Sequence, residues 1–224
     1  MTKAELLQIA KPILFNGEMV RAILDGRKTQ TRRILKSYMD YIPKDAEFGF
    51  DFFTRERGKN EIACRGTFGE HYGECFIKMP FIPNDILYVR ETWSKIISAG
   101  EFEDKIDYVY KATDQYPFGK KGYIVKFRWR PSIHMPKEAA RIFLRVTGVR
   151  VERLNSIDGR GVLAEGVDNG ASNPTMGARW ENMQRMAFSE LWDSTIKPMD
   201  KHRYGWAANP WVWVIEFKRI TESE

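Results

Sequence analysis

The sequence predicts an α/β fold of the α+β type, a mixed and mainly antiparallel β-barrel of about five or six strands with flanking helices. Residues 86–90 and 211–218 alternate in side-chain character as strands do. Residues 141–151 also alternate, but their apolar positions change phase at Gly148, which indicates a β-bulge that bends the strand. Helical periodicity occurs between such segments and no long βαβ unit is visible, so a barrel with side helices is expected.

The first element is a helix at residues 16–25. Asn16 is a suitable N-cap, and Gly26 follows the last apolar residue, where a helix commonly ends. The apolar side chains recur at helical spacing and share one face: Met19, Val20, Ile23 and Leu24. We expect this helix to pack at one end of the barrel.

The remaining elements follow in chain order. A basic strand is predicted at residues 29–35 and a turn at 83–85, with further strands at 86–90, 106–111, 123–129, 141–151 and 211–218. The last strand has one apolar face, formed by Trp211, Trp213, Ile215 and Phe217. Helices are predicted at 156–165, ended by Gly166, and at 179–192, whose apolar side is Trp180, Met183, Ala187, Phe188 and Leu191. Residues 37–80 show little periodicity, and we expect them and residues 168–208 to be insertions in one domain spanning 1–224.

Length, composition and charge limit the class of protein. The 224 residues fit one large domain, and a hydrophobic share of 43% is sufficient for a buried core. A formal net charge of +6 favours an anionic partner, of which nucleic acid is the commonest. The sequence has no run of about 18 apolar residues and no signal-peptide pattern, and two cysteines are too few for a secreted disulfide scaffold. We therefore expect a cytoplasmic protein with no membrane partner.

The segment with the most chemical content is residues 26–33, GRKTQTRR, in which four of the eight residues are cationic. Arg and Lys bind phosphate well, but the same charges suit a solvated edge strand, and composition favours neither reading. Lys28 and Thr31 differ in strand parity, so they meet only if Lys28 lies in the turn after Gly26. A Lys amine beside a Thr hydroxyl in a partly desolvated site forms a base–nucleophile pair.

Three motifs resemble those of the ASCH domain family, whose fold is related to the PUA β-barrel. Residues 23–32, ILDGRKTQTR, are similar to the family signature I-L-x-G-x-K-T-x-T-x-R. Residues 83–93 resemble its second strand, G-D-x-L-x-V, with Asn84 in place of Gly, and residues 164–167, AEGV, resemble its A-x-x-E-G-F helix end. The runs WRPSIHMP at 129–136 and NPWVWV at 209–214 are similar to those of phage and prophage members of this length. The resemblance covers nearly the whole chain and implies a PUA-like barrel.

The resemblance also implies an activity. Small family members are amidohydrolases that remove the acyl group of N4-acetylcytidine with a Lys, a Thr and a Glu, which fall on Lys28, Thr31 and Glu165 here. In these roles Thr31 is the nucleophile and Lys28 its base, Glu165 holds Lys28 or protonates the leaving amine, and no cofactor is expected. The alternatives are a PUA-like module that binds RNA without chemistry, and a phage-associated accessory protein. From the sequence alone, a solvated charge at a helix end is the favoured interpretation of Glu165, and only the resemblance favours a catalytic role.

Further residues are predicted to contact RNA or a modified nucleoside. Four cations are expected to form a positive patch beside Lys28: Arg27, Arg32, Arg33 and Arg130. Trp93 and Trp129 are expected to stack on a base, with core packing as the equal alternative, and His134 is expected to line the pocket or to satisfy a loop. No metal is predicted, because no zinc-finger spacing matches the potential ligands Cys64, His71 and Cys75.

Overall fold

The computed structural model describes residues 1–36, 42, 45–49, 60–68, 70–98, 105–114, 128–167 and 177–221. The described residues form the α-helices α1 Lys3–Ile9, α2 Gly17–Leu24, α3 Gly159–Ala164, α4 Ala178–Thr195 and α5 Lys201–Tyr204. They form the strands β1 Lys11–Leu14, β2 Gln30–Ile34, β3 Glu47–Gly49, β4 Glu61–Phe68, β5 His71–Lys78, β6 Ile86–Arg90, β7 Trp93–Ser98, β8 Lys105–Tyr110, β9 Phe143–Arg153 and β10 Trp211–Arg219. The fold is therefore of the α+β class, with mainly antiparallel pairing.

The chain divides into two compact units, and it passes between them more than once. The first unit contains Met1–Arg27, Asp85–Arg145 and Lys218–Glu224, and the second contains Lys28–Asn84 and Val146–Phe217. Strand β9 begins in the first unit and continues in the second. Every residue of the basic motif after Arg27 belongs to the second unit.

The first unit is built on β1, β6 and the start of β9. Strand β1 pairs parallel with β6, and β6 pairs antiparallel with β9 in the register Leu87↔Leu144. Strands β7 and β8 form a separate antiparallel pair. The core of this unit includes the buried side chains of Leu6, Tyr88, Trp93, Tyr110 and Phe143.

Helix α2 confirms the predicted helix and both of its end signals. The Asn16 side chain accepts a hydrogen bond from the Met19 backbone N–H at 2.9 Å, which caps the first turn. Gly26 follows the helix with φ +75°, a left-handed conformation that costs glycine little. The buried residues of the helix are Val20, Ala22 and Ile23.

The second unit is built on the order β9–β10–β2 and on a second sheet, β3–β4–β5. Strand β10 runs antiparallel to β2, with Ile215 opposite Thr31 and Trp213 opposite Arg33. The buried core includes Leu154, Val162, Phe188, Val212 and Val214. None of the helices formed by the described residues combines the length and the apolar character that a membrane span requires.

The predicted phase change in the strand at 141–151 is confirmed by burial. Ile142, Leu144 and Val146 are buried, and so are Val149 and Val151 after Gly148. A Cβ built on Gly148 lies 3.0 Å from the Glu216 carboxylate, so the glycine admits a close neighbour. None of the sheets formed by the described residues closes on itself, so the barrel itself stays a prediction.

Two segments differ from their predictions. Residues 37–80 show little periodicity in the sequence, so no strand is predicted there, but 47–49, 61–68 and 71–78 form a three-stranded antiparallel sheet. The predicted helix at 156–165 begins only at Gly159, because the Asp158 carboxylate accepts the Gly161 N–H and caps the helix there. The strand predicted at 123–129 lies outside the described residues except for its last two positions, which are not in a strand.

Helix α4 covers the predicted segment and buries two of the five predicted apolar residues, Trp180 and Phe188. Trp180, Gln184, Phe188 and Trp192 are buried at i, i+4 spacing, whereas Met183 and Leu191 are 42% and 36% exposed. The sequence favoured the most apolar positions. The packed face is instead the one that meets α3, where Trp180 contacts the position of Gly159.

The contact between α3 and α4 predicts a large effect of one added methyl group. A Cβ on Gly159 would lie 2.4 Å from Trp180, whose side chain is buried, so Gly159→Ala should lower the free energy of unfolding by about 1–3 kcal/mol. The matched control is Gly17→Ala, because Gly17 also opens a helix but its added Cβ has no neighbour closer than 3.9 Å. Urea titration of both variants measures the effect, and equal stability of the two would contradict this account.

Candidate functional site

Lys28 and Glu165 meet in the second unit because backbone hydrogen bonds join the residue before β2 to α3 on one side and to β10 on the other. The Thr29 N–H donates to the Ala164 carbonyl at 2.8 Å, and the Thr29 carbonyl accepts from the Phe217 N–H at 2.8 Å. Lys28 and Glu165 themselves form an isolated antiparallel bridge. Glu165 is the C-cap of α3, so its side chain lies where the helix stops and the chain turns.

The two side chains form a buried ion pair. Lys28 Nζ lies 2.8 Å from Glu165 Oε2 and donates a second hydrogen bond to the Glu165 main-chain carbonyl at 2.7 Å. The side chains are 0% and 5% exposed. Burial lowers the pKa of Lys28 from its ordinary value of 10.5, and the Glu165 carboxylate opposes that shift. A lowered pKa brings a Lys amine closer to the range in which it serves as a base.

Arg32 extends the pair into a network. Its Nη1 lies 3.1 Å from Glu165 Oε1 and its Nη2 lies 3.1 Å from Glu152 Oε2, so both oxygens of Glu165 carry a cationic partner. Arg150 in turn pairs with Glu152 and with Glu216. The network becomes more exposed along its length, from the buried Lys28 to side chains that are 41% and 43% exposed at Arg150 and Glu216. The terminal nitrogens of Arg32 are therefore engaged with carboxylates inside the protein.

Thr31 lies near this pair along the chain, but no hydrogen bond joins it to either member within the described residues. Its residue is 2% exposed on β2, opposite Ile215 of β10. Because side chains alternate along a strand, Thr31 shares a face with Arg33, while Arg32 lies on the other face. The structure thus brings two of the three predicted catalytic residues into direct contact.

The Arg33 charge acts on the same site. It contributes to the lowering of the Lys28 pKa, after the larger effect of burial. Burial lowers the pKa of Arg33 itself, and Glu165 opposes that shift. Arg33 and Glu165 therefore influence Lys28 in opposite directions.

A cavity of about 530 Å³ opens on the Thr31 face of β2. The residues that line it and matter for chemistry are Arg33, Lys36, Lys78, Phe81, Trp213 and Ile215. Ile215 is the cross-strand partner of Thr31, so the cavity ends beside that residue. Sequence reasoning identified Arg33 but not Lys78 or Trp213, because no local signal connects positions so far apart in the chain.

The predicted aromatic and cationic contacts of the first unit have local partners. Trp93 is 4% exposed and packs against Tyr108 in the core, and the Arg130 guanidinium lies 5.3 Å from the centre of its ring. Backbone hydrogen bonds in both directions join Trp93 and Arg130. Trp129 is half-buried and His134 is exposed in a 3₁₀ turn. Trp93 thus has the core-packing role named as its alternative.

Arg27 also belongs to the first unit and pairs with a neighbour in sequence. Its Nη2 lies 3.0 Å from Asp25 Oδ2, and both side chains are about half exposed. An exposed pair of this kind adds little to stability.

The three potential zinc ligands do not gather in one place. Cys64 and Cys75 are directly opposite in the β4–β5 register, whereas His71 pairs with Phe68 at the far end of the hairpin. Four residue steps along a strand separate those two pairs by about 13 Å, which is too far for a common metal ion. Burial, followed by the neighbouring Cys75, raises the pKa of Cys64 to about 12, so its thiol stays protonated at neutral pH.

Comparison of the chain with protein-family models, with curated proteins and with solved structures returned no match. The candidate site is therefore defined by the contacts described above, and the ASCH resemblance rests on the sequence motifs alone.

Proposed function

We propose that this chain is a cytoplasmic ASCH-type domain with a PUA-like barrel, and that it hydrolyses the amide of an N4-acylated cytidine. The observation that carries the proposal is the buried pair of Lys28 and Glu165, in which a desolvated amine is held at 2.8 Å by one carboxylate oxygen. A fully buried lysine is costly for a fold unless it is paired, and strongly shifted groups in such settings are common at catalytic sites.

In the proposed reaction the neutral Lys28 amine accepts the proton of the Thr31 hydroxyl as the Thr31 oxygen bonds to the acyl carbon. The bond from that carbon to N4 breaks, and the proton passes from Lys28 to N4, so cytidine leaves as a neutral amine. Water then hydrolyses the Thr31 ester and releases the carboxylic acid. Glu165 orients Lys28 throughout. The step requires Lys28 and Thr31 to come within hydrogen-bond distance when substrate binds, as catalytic contacts often tighten only in the complex.

A second candidate function is RNA binding without chemistry. Two observations favour it: the complete burial of the Lys28 side chain and the lack of a hydrogen bond between Lys28 and Thr31 in the described residues. Under this alternative the Lys28–Glu165 pair is structural and the exposed cations bind phosphate. Affinity for RNA should then fall steeply with salt, and no acylated nucleoside should be consumed.

The decisive experiment incubates the purified chain with N4-acetylcytidine and measures cytidine by chromatography. We expect turnover by the wild type and a loss of at least about 100-fold in Lys28→Met, Thr31→Ala and Glu165→Gln. Circular dichroism establishes that each variant is folded, and rates are divided by the folded fraction. Lys28→Met keeps the volume of the side chain, so a loss of rate in this variant is due to the missing amine.

Two controls sharpen this test. Thr31→Ser keeps the hydroxyl and should retain much of the rate, whereas Arg65→Gln removes an exposed pair with Glu74 on β4 and β5 and should change nothing. An inactive wild type on a panel of N4-acylated pyrimidines rules out the amidohydrolase. Full activity in all three site variants places the reaction elsewhere.

A further inference from the structure

The cavity on the Thr31 face of β2 has an unusual balance of charge. Three of its lining residues are cationic, Arg33, Lys36 and Lys78, and none of the described residues that line it is acidic. Arg33 comes from β2, Lys36 from the segment after it, and Lys78 from the end of β5. Cations from three parts of the chain therefore converge on one space.

Two of these cations have no anionic partner among the described residues. Lys36 Nζ lies 5.8 Å from the centre of the Tyr204 ring and makes no ion pair there. Glu61 is opposite Lys78 in the β4–β5 register, yet no ion pair joins the two side chains. Both lysines are exposed, so they are free to bend toward an anion that enters the cavity. Repulsion between neighbouring cations is relieved when such an anion binds.

The rest of the cavity suits a flat ring. Trp213 and Phe81 line it together with Met79, Pro80 and Ile215, so an aromatic and aliphatic wall faces the cationic side chains. Aromatic side chains stack on nucleobases regardless of base identity. A volume of about 530 Å³ lies within the range of pockets that hold compact organic ligands.

We propose that this cavity binds a pyrimidine nucleoside monophosphate, with the phosphate held by Lys36, Lys78 and Arg33 and the base against the partly buried ring of Phe81. The choice of a nucleoside as the ring system rests on the proposed function, and the inference adds that the preferred substrate carries a phosphate. Lys78 is the last residue of β5, so the sheet formed by β3, β4 and β5 supplies a phosphate ligand to this site. Lys28 and Glu165 do not line the cavity, so the proposed phosphate contacts involve other side chains than the catalytic pair.

Calorimetric titration of the full chain with cytidine, cytidine 5′-monophosphate and inorganic phosphate tests the proposal. We expect the monophosphate to bind about tenfold or more tightly than cytidine, with an affinity that weakens as salt rises from about 50 to about 200 mM. Lys36→Gln and Lys78→Gln should each weaken the monophosphate by about tenfold and leave cytidine within about twofold. Both lysines are exposed, so neither substitution disturbs the core. Lys197→Gln, an exposed lysine of the same unit outside the cavity lining, is the matched control.

Three outcomes overturn the inference: equal affinity for cytidine and its monophosphate, no effect of Lys36→Gln or Lys78→Gln, or binding of a cytidine tetranucleotide without binding of the monophosphate. The outcome of this titration can be distinguished from the outcome of the amidohydrolase test. Monophosphate binding without hydrolysis of N4-acetylcytidine rejects the proposed reaction and keeps this ligand. Hydrolysis without any preference for the phosphate keeps the reaction and rejects this ligand.

Discussion

Glu165→Gln should lower the free energy of unfolding by about 3–5 kcal/mol at neutral pH, because it removes the carboxylate that pairs with two buried cations. The Lys28 side chain is 0% exposed and that of Arg32 is 2% exposed, and each contacts a different oxygen of Glu165. Glutamine keeps the volume but offers one oxygen and one amide, so an N–H group is left facing a cation. Urea unfolding followed by far-UV circular dichroism measures the loss.

The pH dependence of this variant has a definite sign. Burial holds the pKa of Lys28 below its ordinary value of 10.5, so between the folded pKa and 10.5 the unfolded chain binds more protons than the folded chain. The contribution of Lys28 to the free energy of unfolding therefore rises with pH between the folded pKa and 10.5. Without Glu165 the pKa of Lys28 falls further and the window extends to lower pH. The difference between variant and wild type should shrink as pH approaches 10.5.

Glu152→Gln is the matched control within the same network. The Glu152 side chain is 24% exposed, and Arg32 keeps its contact with Glu165 when Glu152 is neutralised. We expect the free energy of unfolding to fall by about 1 kcal/mol or less. This loss should not shrink as the pH approaches 10.5, because Lys28 keeps its carboxylate partner. A pH-independent loss in Glu165→Gln would mean that Lys28 does not carry the penalty.

The elements that sequence alone predicted well are those with local end signals. Helix α2 lies between Asn16 and Gly26, and both signals act within one turn of the helix. The sequence did not predict the hairpin of β4 and β5, because the regularity of these strands lies in their pairing with each other and not in either strand alone. Gly66 is opposite Gly73, and neither glycine has a side chain that could mark a face of its strand. Only the partner strand makes such a segment regular.

The contacts of the candidate site were likewise predicted only in part. The pairing of Lys28 with Glu165, 137 residues apart, was predicted by motif resemblance, since spacing cannot connect them. The bridge from Arg32 to Glu165 was not predicted, because it depends on which face of β2 meets the end of α3. Lys78 and Trp213 were missed because no local signal connects positions so far apart in the chain. Their common cavity exists only when β5 and β10 are folded.

The second large effect is expected in the first unit, where Arg141 and Glu91 form a buried bidentate pair. Arg141 Nε lies 2.9 Å from Glu91 Oε1 and its Nη2 lies 2.9 Å from Oε2. The Glu91 side chain is 1% exposed, whereas that of Arg141 is 27% exposed and its guanidinium lies 3.9 Å from the centre of the Tyr110 ring. The loss of unfolding free energy therefore depends on which side chain remains after the substitution, the buried Glu91 or the partly exposed Arg141.

Arg141→Met should cost about 3–5 kcal/mol of unfolding free energy, because it leaves the Glu91 carboxylate buried without its cation. Glu91→Gln should cost less, since Arg141 keeps its contact with Thr113 Oγ1 at 3.0 Å and reaches water. The double variant should recover part of the Arg141→Met loss, so that the coupling energy in the cycle is favourable to the pair. Urea titration of all four proteins gives that value, and additive losses would show that the two side chains stabilise the unit independently.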